Sequence, residues 1–513
     1  MQWVIVCIAL LFSIGTSVLS WDAMRTYDLA PRFHWPDETT NWYFADRVAH
    51  GESLVVPESR NATVGNLIHP RTANVRSDGA IVPGAYLGLP LWYGLVGRLI
   101  GSRAMLLLTP LLAGAALLGF ARIVAVFWDR RTALIATLLL ALHVTIWMFT
   151  ATAFLPNIPF LALLLMGLAA VLHKRGHVAW WLCGGLLIGF ALTFRTHEAL
   201  WVLTLAGAIA WRQRATVAQG VAAVVGLVLP FIPILILNAQ LYGSPFTTGY
   251  ALLHAGGAPP TEFAGSGGMI RAFLFPFGVD IVASLQRFWQ YMVVPYWWFM
   301  ALAIVGLFTA SRKLQAASCK REGMITVLLS AWLMVFYGSW TLADPLVRAT
   351  NVFTISYARY WLPMVFLLAP WAATGFLRIV SRVGRLRQII AMLLVLGIAL
   401  VSSQQIVTGT TEGLAQQRRG IVEHRTRARA VIAETPDDAI IVSHRMDKTF
   451  FPERAVVFVS EEPDADFLRH LAVLVETAPV YWYAPSRPAV VGFAFTSVGT
   501  MPFGEQLYRM GLL

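Results

Sequence analysis

Long apolar runs separated by short polar breaks dominate the chain up to about residue 409. A bilayer-spanning helix takes roughly 20 mainly apolar residues. Runs of that kind stand at Trp3–Ser20, Ala104–Trp128, Ala133–Phe149, Ile158–Leu172, Val178–Phe194, Ala199–Trp211, Val217–Leu237, Phe288–Ala310, Met324–Leu342, Trp361–Ile379 and Ile389–Val407. They predict about eleven transmembrane helices. Short loops rich in Lys and Arg stay in the cytoplasm. Such clusters follow the second, fourth, sixth, eighth and tenth runs: Asp129-Arg130-Arg131, His173-Lys174-Arg175, Arg212-Gln213-Arg214, Arg312-Lys313 with Lys320-Arg321, and Arg378 to Arg387. The pattern places the N-terminus in the cytoplasm and the C-terminus outside. Ala199–Trp211 is short, and it counts because without it the later clusters would change sides. Residues 1–20 admit two readings. Val18-Leu19-Ser20 could be a leader-peptidase site, but the segment has no Lys or Arg ahead of its apolar stretch, which favours a retained first span.

The polar material then falls mainly outside, in loops at 21–103 and 238–287 and in a tail at 410–513. Pro83–Ile100 is apolar but interrupted by Pro90 and several glycines, the pattern of an interfacial or re-entrant segment. In the tail, Ala439–Val442, Ala455–Val459 and Val480–Tyr483 read as strands, and Arg418–Ala433 and Asp464–Val475 as helices. The predicted fold class is therefore an all-α polytopic membrane protein, residues 1–409, followed by a small extracytoplasmic α/β domain, residues 410–513.

Composition agrees with that picture. Of 513 residues, 57% are hydrophobic and 13% charged, about half the charge of a soluble domain. A net charge of +12 on an apolar background points to membrane topology or an anionic membrane-bound ligand, not to nucleic acid. Cys7, Cys183 and Cys319 are too few for a disulfide framework or a cysteine zinc site. Walker, HExxH, GxSxG and dinucleotide signatures are missing, so nothing suggests ATP, nicotinamide or serine-hydrolase chemistry.

Polar groups near the membrane are the candidates for chemistry. Asp37 and Glu38 follow the first span beside Trp35 and Trp42. One carboxylate could take a proton from an attacking hydroxyl while the other positions a partner or cation. Alternatively, Asp37 caps a helix beginning near Thr39, with Glu38 favoured by the helix dipole. Arg195-Thr196-His197-Glu198 separates two short spans; it is either a cluster below the surface or a turn whose Arg195 snorkels. Arg359-Tyr360 opens the tenth span on the outer side, against the positive-inside bias. Arg71 and Arg76 in the first loop could neutralise a phosphate or merely solvate the loop. Lys448 and Arg454 could likewise donate to a ligand or sit on a solvated face. Asn61-Ala62-Thr63 matches a glycosylation sequon.

Four features carry a resemblance: Pro36-Asp37-Glu38 after the first span, the stretch from Asn238-Ala239-Gln240-Leu241-Tyr242-Gly243-Ser244-Pro245 to Gly249-Tyr250, Arg359-Tyr360-Trp361-Leu362-Pro363, and the α/β tail. Together they resemble the GT-C membrane glycosyltransferases that use polyprenyl-phosphate-linked sugars, in the style of the protein O-mannosyltransferase and aminoarabinose transferase group. The resemblance implies that Asp37 is the catalytic carboxylate, with Glu38 beside it in acceptor or cation handling. It also implies that Arg359, and with it Arg195, holds the lipid phosphate, with Tyr360, His197, Arg71 and Arg76 as further donor-side candidates. Relatives often carry an acid in the second outer turn, where this chain has Leu155-Pro156-Asn157. A divalent cation is possible, although that departure puts a site needing a second acid in doubt.

The implied function is transfer of a sugar from a polyprenyl phosphate to an extracytoplasmic acceptor (a glycan, lipid or protein), in the cell (inner) membrane and among its lipids. Two rivals stand beside it. A flippase for lipid-linked saccharide should show internal repeats, and none is evident. A non-catalytic envelope-assembly subunit would leave Asp37 as a cap.

Overall fold

The computed structural model describes residues 1–25, 28–173, 177–255, 274–275, 277–313, 317–340, 355–409, 413–460 and 463–513. Lys174, Arg175, Leu342, Asn351 and residues 256–273 of the expected second loop lie outside that set. The protein is a bundle of apolar helices carrying a small sheet near its C-terminus.

Helices occupy all the predicted apolar runs, but many are broken. Among the described residues four are long and apolar enough to cross a membrane by themselves: Ser102–Phe127, Val217–Tyr242, Arg359–Ser381 and Gly384–Thr408. Counting each bent pair as one span raises that to seven. Asn157–Val171, Val178–Phe194 and Gly323–Gly338 are apolar but shorter, so length and composition do not carry the figure of eleven. The first span bends by 45° between Gln2–Thr16 and Val18–Met24. The third bends by 60° at His143, between Arg130–Ala141 and Val144–Ala151. The expected Phe288–Ala310 span turns by 107° between Ile281–Val293 and Trp297–Thr309. Pro295 stands at that corner, where its missing N–H and its ring interrupt the helical ladder.

Glycines set how closely the helices approach. Gly185 and Gly189 face Ala223 and Leu227, so a Cβ at either would overlap a backbone carbonyl of the Val217–Val228 helix. Gly306 meets the carbonyl of Trp371 in the same way. Small residues of this kind let membrane helices pack backbone to backbone. Val217–Tyr242 and Gly384–Thr408 are only 17% and 11% buried. They turn apolar side chains outward on most sides, as lipid-facing helices do.

Three further features frame the site. Pro36–Ala49 is a helix inside the first loop, and Gly88–Ile100 is an amphipathic helix packed on it through Gly94 and Gly97. Between them β1 (Ala73–Val75) and β2 (Ile81–Pro83) form a small antiparallel hairpin. The C-terminal sheet contains β3 (Ile440–Ser443), β4 (Ala455–Phe458), β5 (Val480–Ala484), β6 (Phe493–Thr500) and β7 (Gln506–Leu512). Its order is β4-β3-β5-β7-β6, parallel over the first three strands and antiparallel beyond. Successive side chains along β3 point to opposite faces. Ile440 and Val442 pack with Leu471 and Leu474 of the Ala465–Thr477 helix, and Ile441 packs with Val431 of the Leu414–Ala433 helix.

Candidate active site

The site begins at the start of the Pro36–Ala49 helix. Trp35 is extended (φ −107°, ψ 143°) and Pro36 takes the first helical position, where its fixed φ and lack of N–H fit. Asp37 and Glu38 then fall in the first turn, where the helix dipole favours anions. The cap belongs to Glu38, contrary to the expectation of Asp37 capping a helix from Thr39. Glu38 folds back to accept the Trp35 N–H at 3.2 Å and is 2% exposed. Glu38, expected beside Asp37 in acceptor or cation handling, thus commits one carboxylate oxygen to the start of its own helix. Burial pushes its pKa up to about 7, against the pull of backbone N–H groups and the Lys448 ammonium.

Asp37 points the other way. Its Oδ2 accepts from both terminal nitrogens of Arg359, each at 3.1 Å. Arg359 opens the Arg359–Ser381 helix, is 9% exposed, and also donates to the Tyr360 hydroxyl at 3.3 Å. Two guanidinium groups lie within cation–π range of the Tyr360 ring: Arg359 at 5.2 Å and Arg195 at 5.1 Å. Arg195 does not snorkel. It is 4% exposed and donates to Glu198 (2.9 Å), His197 Nε2 (2.9 Å) and the Tyr337 hydroxyl (3.1 Å). Because arginine only donates, His197 Nε2 must accept, which leaves the ring proton on Nδ1 facing the Tyr86 hydroxyl at 3.0 Å. Tyr337 donates to Glu198, and so does the Trp201 indole N–H.

Asn157, at the place of the missing second acid, lands in this cluster. Its amide N–H donates to the Arg359 carbonyl at 3.4 Å, and it is 3% exposed. Gly249-Tyr250 also arrives here. Gly249 lies against the backbone of Pro83 to Ala85, and the Tyr250 ring is 4.9 Å from that of Tyr86. Tyr337 was not foreseen: within an apolar span, a tyrosine gives no sign that its hydroxyl will face an ion pair. An apolar cavity of about 470 Å³ starts at Trp201, beside Glu198. It runs past Pro363, Leu205, Leu165 and Phe120 to Arg212 at the far end of the Ala199–Arg212 helix.

Other candidates lie elsewhere. Arg71 donates its backbone N–H to Asp447 at 3.0 Å, and its guanidinium forms an ion pair with the same carboxylate at 3.4 Å. Arg76 pairs with Asp78 at 2.7 Å in the loop. Neither joins Arg359 and Arg195 in the charge cluster. Arg454 bonds Thr435 and the Ile432 carbonyl, a structural role. Lys448 donates to the His34 carbonyl. Asn61 is fully buried with its amide bonded to Ile68 and Gly79, which removes the sequon from any modifying enzyme's reach. Among the described residues no group of three His, Cys, Asp or Glu could hold a metal. With Asp37 on Arg359, Glu38 turned back and an amide at 157, the donors do not fit a divalent cation.

No family model and no curated protein matches the chain. Solved structures do. ArnT from Cupriavidus metallidurans, bound to undecaprenyl phosphate, superposes with a TM-score of 0.53 at 13% identity, over 98% of this chain and 97% of that one. The Archaeoglobus fulgidus oligosaccharyltransferase in its apo form gives 0.56 at 12% identity, over 94% and 69%. The chain has the GT-C fold that those two membrane proteins share.

Proposed function

We propose that the protein is an integral-membrane glycosyltransferase that moves a sugar from a polyprenyl phosphate to an acceptor on the extracytoplasmic side. The observation that carries this reading is the direct pairing of Asp37 with Arg359, beside a second buried arginine and an apolar cavity of about 470 Å³. A sugar on a lipid phosphate already has a good leaving group. What remains is to deprotonate the acceptor and to stabilise charge on the departing phosphate. Asp37 supplies the base, and Arg359 supplies preorganised N–H donors for the phosphate. The cavity takes the apolar tail of the carrier.

In the step, the acceptor oxygen bonds the sugar C1 as its proton passes to Asp37. The C1–O bond to phosphate breaks and its electron pair leaves with the polyprenyl phosphate. Arg359 neutralises the charge that appears there. Arg195 keeps its ion pair with Glu198 and, over Tyr360, adds positive field without being free to leave its partners. The structural neighbours support the same direction: one was solved with undecaprenyl phosphate, and the other is an oligosaccharyltransferase.

Asp37→Asn tests the reading, because it nearly keeps shape while removing the base. Purified variant and parent are assayed with a polyprenyl-phosphate sugar. The expected loss is on the order of 10²–10⁴-fold in kcat, with normal membrane insertion. Full activity in Asp37→Asn eliminates the assignment.

A further inference from the structure

A lysine drawn out of water is costly unless its ammonium is compensated, and Lys448 is a partly buried residue without a part in the chemistry above. It sits in the one-turn helix Asp447–Phe450, between β3 and β4 of the C-terminal sheet. Its Nζ donates to the carbonyl of His34, three residues ahead of Asp37, and Glu38 is among the charges acting on it. Burial lowers its pKa to about 8, so it still carries its proton at neutral pH.

The neighbours of Lys448 tie down the same stretch of the first loop. Asp447 accepts the backbone N–H of Arg71 at 3.0 Å. The next residue, Thr72, donates to the Pro36 carbonyl at 3.2 Å and pairs with the Thr40 hydroxyl at 2.9 Å. Glu453 accepts from the Ala30 N–H at 2.7 Å and from Arg32 at 2.6 Å. Phe451 packs edge-on against Tyr43, centroids 4.6 Å apart. The carbonyls of His34 and Pro36, on either side of Trp35, are thus both held: one directly by Lys448, the other through the segment that Asp447 anchors.

We infer that Lys448 is a positioning residue for the transfer reaction: it fixes the His34–Pro36 turn that aims Asp37 at Arg359. The inference rests on Asp37 being the base. Asp37 is partly exposed and its carboxylate pairs with Arg359, and the backbone beneath it sets whether that carboxylate reaches the guanidinium. A displacement of about 1 Å at a reacting group can cost on the order of 10²-fold in rate.

The full-length protein with Lys448→Met keeps the apolar stem and loses the donor. Its kcat is expected to fall at least about tenfold, with the KM for a polyprenyl-phosphate sugar and the melting temperature in detergent near the parent's. Lys448→Arg, which restores an N–H donor, is expected to recover most of that kcat. A parental kcat in folded Lys448→Met overturns the inference, as does a Lys448→Arg no better than Lys448→Met. Should Lys448→Met fail to fold, Glu453→Gln takes its place: a reduced kcat at unchanged KM supports positioning of Asp37 by these contacts, and a parental kcat overturns it. Activity surviving in Asp37→Asn would instead remove the functional reading itself. An inactive Asp37→Asn beside a fully active Lys448→Met removes this inference alone.

Discussion

One residue step along a helix turns a side chain through about 100°, and that rotation separates Asp37 from Glu38. In the sequence the two carboxylates are equivalent neighbours. In the structure one meets Arg359 and the other closes the helix start. The residues alone mark the pair, the resemblance singles out Asp37, and the structure adds the different partners that the two carboxylates take. Arg359 was legible because an arginine on the outer side runs against the charge bias, whereas Tyr337 carries no such mark. Arg71 and Arg76 were plausible phosphate ligands by residue type, yet each finds a carboxylate of this chain first. Arg359→Ala is expected to raise the donor KM about tenfold or more, the scale of a lost charge-assisted hydrogen bond. Arg359→Lys should recover only part of that, because an ammonium lacks the planar fork. Donor titrations in detergent check both, and an unchanged KM in Arg359→Ala removes it from the phosphate site.

At the level of elements, the start of the Pro36–Ala49 helix makes stability depend on pH. The Glu38 pKa is raised from 4.5 to about 7 by burial. Between those values the folded chain holds a proton that the unfolded chain has released, so the stabilising share of this group falls as pH rises from about 4.5 to about 7. Glu38→Gln cannot titrate, and its melting temperature should vary less with pH across that window. Equal slopes in parent and variant would refute the assignment. Packing makes a second claim: Gly306→Leu, which drives a side chain into the Trp371 carbonyl, should lower the melting temperature by several degrees or abolish folding. Element order was readable from apolar runs, and strands β3 to β5 from their β-branched content. The β6–β7 hairpin was not, since Thr, Ser and Gly fill half of β6, and only two of its eight residues are buried. The 60° bend at His143 was also hidden, having no proline to announce it.

Over the whole molecule, the sidedness of the bundle is the premise of the reaction, because Asp37 and the lipid phosphate must meet on the same side. The charge pattern supplies that premise. Reporter fusions after Lys174 and after Val407 should read cytoplasm and exterior respectively, and the opposite result for the second would strand Asp37 on the wrong side. The fold as a whole was legible because the spacing of apolar runs is set by the thickness of the bilayer. The assembly of the site was not, since it depends on pairings between distant segments: residue 37 with 359, 86 with 197, 195 with 337.

The clasp between Glu453 and the Ala30–Arg32 stretch spans more than 400 positions of chain. Its consequence is one of timing. During synthesis the acid at 37 emerges early, while its guanidinium partner at 359 and then the residues that brace the turn beside it follow hundreds of positions later. A nascent chain therefore cannot set the direction of Asp37 until the segment around Asp447 to Glu453 has been made and has folded back onto the first loop.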